Sequence, residues 1–222
     1  MSTTIMQLPG TIQQAAPGLK GFDTNTVVTP AQASAFKADG FSFCIRYLSR
    51  SHGQNPGDLS FNEAKIILEA GLALSAVQHV LAAGWNPTAA LGNTYGTNAA
   101  ANASSIGLPA GMNLWCDLEG IAPGTPAQQV IDYCNAWYGA VLAGGFVPGI
   151  YVGANCILSG NQLYANLKFQ HYWQSLSRVP AIPNRGYQMI QSLQNSPIHG
   201  LSIDNDTTQN DEQGDSMIWL KI

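Results

Sequence analysis

Thirteen carboxylates occur in this chain of 222 residues. Five stand at or just past the end of a short apolar run: Asp23, Asp117, Glu119, Asp204 and Asp206. Packing alone seldom puts them there, because burying an unpaired carboxylate is expensive. The sharpest pair lies in Trp115-Cys116-Asp117-Leu118-Glu119-Gly120. Residues two apart on a strand share a face, with Cα atoms about 6.5–7 Å apart. Leu118 then turns to the other face, and two carboxyls enter one cleft. Repulsion and partial desolvation raise the pKa of one of them, which suits a general acid. The plainer reading is that each carboxylate caps a helix or meets an arginine. Arg46, the one arginine inside an apolar run, is open to both readings. It either holds a catalytic carboxylate ionised or makes a structural salt bridge.

These residues need a frame that turns strand ends toward one place. Eight apolar runs supply it: Leu19–Asp23, Phe41–Tyr47, Leu72–Val80, Asn113–Glu119, Val147–Val152, Phe169–Ser175, Tyr187–Ser192 and Gly200–Asp204. Near-continuous apolarity suits strands of a parallel sheet covered on both faces. Helical stretches lie between them. Thr29-Pro30 opens the first, and Gly40 closes it. Ser60 and Glu63 predict a capping box for the second, which Gly71 ends. Thr88 to Ile106, rich in Ala and Asn, reads as irregular helix. Thr125-Pro126 opens a helix whose apolar positions recur at three- and four-residue steps. Gln162 to Lys168 offers about two turns, and the Pro-broken 177–186 segment little helix. The expected fold is α/β, a single (β/α)8 TIM-like barrel over residues 19–222 behind an N-terminal extension, 1–18. In such a barrel the strand C-termini ring the active site. An open doubly wound sheet is the rival arrangement.

Composition removes several functions. Charged residues make up 10% of the chain, against roughly a quarter in an ordinary globular protein. The net charge is −4, and the nine Lys and Arg are scattered singly, so nucleic acid is not an expected partner. No Rossmann or P-loop fingerprint occurs, and no cofactor is expected. No run of 18 apolar residues predicts a membrane span, and the first residues lack the pattern of a secretory signal. Cys44, Cys116, Cys134 and Cys156 sit far apart in apolar runs and read as buried reduced thiols. His79 and His171 with Asp204 and Asp206 are the one set of residue types that would suit a metal hydrolase. No H-x-H or H-x-x-x-H spacing supports it, and no metal site is expected.

Five phrases in order, GFDTN, FCIRYLS, WCDLEG, GIYVG and LSIDND, resemble strand ends of the glycoside-hydrolase-like family known as domain of unknown function 1906. That family is related to the family 25 glycoside hydrolases, the Chalaropsis-type lysozymes. The resemblance runs from about Leu19 to the C-terminus. It implies a (β/α)8 barrel with a carboxylate-lined groove acting on bacterial cell-wall glycan. It makes Glu119 the general acid. It makes Asp117, Asp23 and Asp204 the groups that orient or stabilise the reacting sugar and its N-acetyl group. Gln191 would line the pocket. The chain departs from family 25 at Asp206, where Asn is frequent, and in HYWQS, which lacks a second tryptophan.

Glycoside hydrolysis needs an acid for the leaving oxygen and a negative group for the oxocarbenium-like state. A cleft rich in amides and aromatics suits sugar hydroxyls and sugar faces. Tyr47, Tyr151, Trp173, Gln78 and Gln191, with Arg46 and Asp206, are the expected binding residues; Trp85 and Tyr95 fall in probable loops. The leading expectation is a lysozyme-like glycosidase with peptidoglycan as its partner. A barrel that binds glycan without cutting it is the second reading, and a metal-dependent hydrolase the third. A cell-wall substrate would require export by a leaderless route, through a secretion system or a holin, to the periplasm or the extracellular space.

Overall fold

The structure, a computed structural model, describes residues 7–193 and 196–222. Eight strands close into a barrel: β2 (Lys20–Thr24), β3 (Phe43–Leu48), β4 (Ala73–Gln78), β5 (Asn113–Leu118), β6 (Val147–Val152), β7 (His171–Gln174), β8 (Met189–Ser192) and β9 (Asp204–Thr208). Pairing of β4 with β5 completes the ring and removes the open-sheet rival. Among the described residues five helices cover the outside: α1 (Pro30–Ala38), α2 (Phe61–Glu69), α3 (Ala89–Ser105), α4 (Ala127–Ala143) and α5 (Gly160–Asn166). Each follows one of the strands β2 to β6.

The barrel is mixed, which corrects the expectation of eight parallel strands. β9 runs antiparallel to both β2 and β8. No helix is present between β8 and β9 among the described residues. Without a crossover the chain turns at the mouth and descends, since parallel neighbours need a longer connection. The strand also begins later than expected. Leu201 and Ile203 are buried, but they precede it. Asp204 and Asp206 therefore lie at a strand start. The reversal still brings Asp204 to the mouth where the other strands end.

Two further strands escape the apolar pattern. β10 (Ile218–Lys221) pairs antiparallel with β4 at Leu220 and Leu74, and β1 (Thr11–Gln14) pairs with β10. The segment ahead of residue 19 thus carries a strand. Met217, Trp219 and Ala15 enter the barrel interior and pack with Phe43, Ile45, Trp115, Trp173 and Met189. They close the end opposite the mouth. Between sheet and helices lies the larger core, which includes Phe22, Phe36, Leu48, Ile67, Cys134 and Trp137.

Local chemistry explains the helices. Thr29 and Gln32 form a full capping box on α1. Ser60 caps α2, but Glu63 does not reach back to it. Instead the Glu63 carboxylate accepts from Arg46 Nε at 2.5 Å and from the Val28 amide at 2.8 Å. The 88–106 stretch is regular helix from Ala89 to Ser105, tighter than expected. Gly92 and Gly96 let it approach α4: a Cβ on Gly92 would lie 2.2 Å from the Tyr133 carbonyl oxygen. All four cysteines are free and buried.

Arg46 is wholly buried and points to the helix layer. Its guanidinium also donates to the Thr24 and Gly57 carbonyls, at 2.6 and 2.8 Å. Removing one partner leaves the other charge buried and alone, which costs about 3–5 kcal/mol. Urea unfolding of Arg46→Met should show a loss of about that size. The double variant Arg46→Met/Glu63→Leu should recover much of it. A loss under about 1 kcal/mol in the single variant would mean that solvent reaches the pair.

Candidate active site

Strand parity decides what reaches the mouth. Inward positions near the top are Asp23 on β2, Tyr47 on β3, Val77 on β4, Asp117 on β5, Tyr151 on β6, Trp173 on β7 and Gln191 on β8. Glu119 follows β5 in the same phase as Asp117. Asp117, Glu119, Asp204, Tyr151, Trp173 and Gln191 line a cleft of about 100 Å³. A second hollow of about 270 Å³ holds Asp23, Thr24, Asn25 and Ser202, and shares Tyr47 and Asp204 with the first. Together they form one acidic basin. No lysine or arginine lines either part.

The floor is wired by neutral donors. Gln191 Nε2 donates to Asp23 Oδ2 at 2.8 Å, and the Tyr151 hydroxyl donates to Gln191 Oε1 at 2.9 Å. The Tyr47 hydroxyl reaches Asp23 Oδ1 at 3.3 Å. Trp173 Nε1 donates to Asp206 Oδ1 at 2.9 Å. Asp206 is wholly buried, and its other oxygen meets no protein donor. After burial, the nearby charge of Asp23 is the next cause that keeps the Asp206 carboxyl protonated. Asp117 Oδ1 is likewise buried without a donor.

Glu119 sits higher and is half-buried. Trp85 Nε1 donates to its backbone carbonyl at 2.8 Å. Gly153 makes room for its side chain: a Cβ there would lie 2.5 Å from Glu119 Cβ and 2.6 Å from Oε2. The GIYVG phrase ends in a glycine because the acid occupies the space beside it.

The sequence matches the family described as Rv2525c-like, glycoside hydrolase-like domain, over residues 34–213. The chain belongs to that family. Among solved structures, the Rv2525c-like barrel is similar to the Tat-secreted protein Rv2525c of Mycobacterium tuberculosis. The TM-score is 0.67 at 17% identity, covering 90% of this chain and 99% of that one. It is also similar to a family 25 glycosyl hydrolase from Bacillus anthracis, with a TM-score of 0.61 at 12% identity over 90% and 94% of the chains. A bacterial lysozyme from Streptomyces coelicolor aligns with a TM-score of 0.57 at 18% identity over 88% and 94%. No curated protein sequence matches the chain significantly.

Most residues predicted for the site do meet in this Rv2525c-like basin; two do not. Gln78 points to the helix layer, where its amide donates to the Ser49 and Tyr95 carbonyls and accepts from Trp137 Nε1. Arg46 lies on the same outer face, and its structural reading holds. Trp173 forms buried floor rather than an open platform. The two histidines weighed as metal ligands also lie apart from a common site. His171 opens β7 at the closed end, near Arg185, Asp211 and Asp215, far from the mouth that holds Asp204. Among the described residues no cluster of metal-ligating side chains occurs.

Burial is the largest cause pushing every basin carboxyl upward. Asp23 rises from 3.8 to about 7; the Gln191 hydrogen bond opposes the shift and the Asp204 charge adds to it. Asp117 and Asp206 lie well above the usual carboxylate range. Glu119 is raised by burial and by Asp204, and Asp204 by burial. The buried floor carboxyls Asp117 and Asp206 thus hold their protons more tightly than the rim carboxyls Glu119 and Asp204.

The shifts fix a pH dependence. Asp23 titrates near 3.8 when unfolded and near 7 when folded. Between those values only the unfolded chain loses the proton, so this stabilisation fades as pH rises from about 4 to about 7. Asp23→Asn removes the titration. Thermal melts across that window should show the variant gaining on wild type as pH rises. Parallel melting profiles would refute the raised Asp23 pKa.

Proposed function

We propose that the protein is a lysozyme-like glycosidase acting on bacterial peptidoglycan, with Glu119 as the proton donor. One observation carries the reading: Asp23, Asp117, Glu119 and Asp204 converge on a single barrel mouth that lacks a cation. Such a mouth offers a proton to a leaving oxygen and negative charge to the cation that develops. Asp117 lies beneath Glu119 and meets that charge with a buried carboxyl oxygen, Oδ1, that has no protein donor. Asp23 and Asp204 flank the reacting ring and orient its N-acetyl group. Half-buried Tyr47 and Tyr151 present ring faces to the sugar. Asp206 stays below and positions Asp23. The substrate lies outside the cytoplasm, so export through a secretion system or a holin must precede action.

The test is incubation with purified peptidoglycan and mass spectrometry of released fragments. Glu119→Gln keeps shape and hydrogen bonding but has no carboxyl proton to give. It should slow cleavage by about 10²–10⁴-fold, the usual worth of a positioned acid. Sugar binding should survive. Equal rates for wild type and Glu119→Gln would move the acid to Asp23, Asp204 or Asp206. No cleavage by wild type, with binding retained, would make the protein a glycan-binding barrel.

A further inference from the structure

Beside the acidic basin lies a hollow of opposite character. It encloses about 470 Å³, within the range of small-ligand pockets. Arg50, Ser51, Asn55, His79, Tyr95 and Asn98 are among its lining residues. Arg50 makes no ion pair with any described residue. Its guanidinium stands 5.9 Å from the centre of the Tyr95 ring. The nearest acid of this wall is already engaged. Asp58 receives His79 Nε2 at 2.7 Å through one oxygen and the Ser49 hydroxyl through the other.

The hollow is built rather than incidental. Asn98 and Asn102, one turn apart on α3, tie down the loop that carries Arg50. Asn98 Nδ2 donates to the Arg50 carbonyl at 2.7 Å. Asn102 Nδ2 donates to the Ser49 and Ser51 carbonyls, and its oxygen accepts from the Gly53 amide. A shared wall joins it to the basin. The His79 ring lies against Tyr47, with centroids 4.6 Å apart, and the Tyr47 hydroxyl touches Asp23. A ligand seated over the carboxylates therefore extends directly into a polar hollow with an unmatched positive charge.

We propose that this hollow is an anion subsite that takes a carboxylate carried by the sugar next to the reacting one. The inference rests on the glycosidase reading for its substrate and names what that substrate must bear. A lactyl ether or a short peptide stem on an N-acetylated sugar supplies such a group; a neutral N-acetylglucosamine polymer does not. Arg50 binds the carboxylate through paired N–H donors, which lysine cannot reproduce in geometry. Asn55, Asn98 and Ser51 accept the neighbouring amides and hydroxyls.

The test uses calorimetric titration of the full chain, read without turnover. Three probes serve: a disaccharide–dipeptide fragment of peptidoglycan, the same fragment with its carboxylates amidated, and a neutral chitin tetrasaccharide. Wild type should bind the charged fragment at least about tenfold tighter than its amidated form, the usual worth of a hydrogen bond to a charged group. Arg50→Gln should erase that difference and leave chitin binding unchanged. Arg50→Lys should restore part of it. Melting temperatures equal to wild type show that the variants fold. Lack of Arg50-dependent preference for the charged fragment would overturn the subsite. Arg50-dependent binding with no cleavage by wild type would overturn the hydrolase reading alone.

Discussion

Five carboxyls share one barrel mouth without a cation among them, and the surrounding structure is arranged to tolerate that. Burial and like charge both favour the protonated forms. The fold replaces counterions with neutral donors: the Gln191 amide, the Tyr47 hydroxyl and the Trp173 indole. Each weakens repulsion without cancelling charge. The buried cation of β3, Arg46, faces outward and is matched to Glu63. Had it faced inward, it would have held a neighbouring carboxylate ionised and taken its proton away from chemistry.

That arrangement needs a rigid support. Beneath the basin the barrel is filled by Trp115, Trp173 and Trp219 with Phe43 and Met189. Trp115 and Trp173 meet edge to face at 5.9 Å, and Tyr151 meets Trp173 at 4.6 Å. A packed aromatic plug cannot shift to let water under the carboxyls. At the closed end, β10 fills the seam below the β4–β5 pairing. The Asn113 side chain accepts the Ile218 amide there. The chain terminus therefore contributes to a site at the far end of the barrel.

Much of this was legible in the sequence, and the failures share a cause. Seven apolar runs became the parallel strands, most of them because both faces are buried; β8 is the exception, with Ile190 exposed on its outer face. β9 was not legible at its true position. Its inner face is the acidic site and its outer face lacks a covering helix, so Asp204 to Thr208 shows no apolar pattern. Apolar Leu201 and Ile203 signalled burial of a loop instead. The period of two that puts Asp117 and Glu119 on one face also sorts the residues of the neighbouring strands. Tyr47 and Arg46 are adjacent on β3, so both cannot line the mouth. Val77 faces inward, so Gln78 must face out. Gly153 and Trp85, which place Glu119, carried no sequence signal beyond a glycine after a strand and an indole in a loop.

On the glycosidase reading proposed above, depth within the basin separates roles that residue type cannot. Asp23, Asp117 and Asp206 form a floor that solvent hardly reaches, while Glu119 and Asp204 stand half-buried at the rim. A proton donor must recover its proton from water after each turnover, so a floor residue is poorly placed for the task. A charge stabiliser works better where water is absent, since the low dielectric strengthens each interaction. Glu119 is at the rim, raised in pKa, held by Trp85 through its backbone and given space by Gly153. Asp204 shares the rim, but it enters on the reversed strand, facing Glu119 across the cleft. The antiparallel turn that broke the expected topology is thus what sets two rim carboxyls on opposite sides of one cleft.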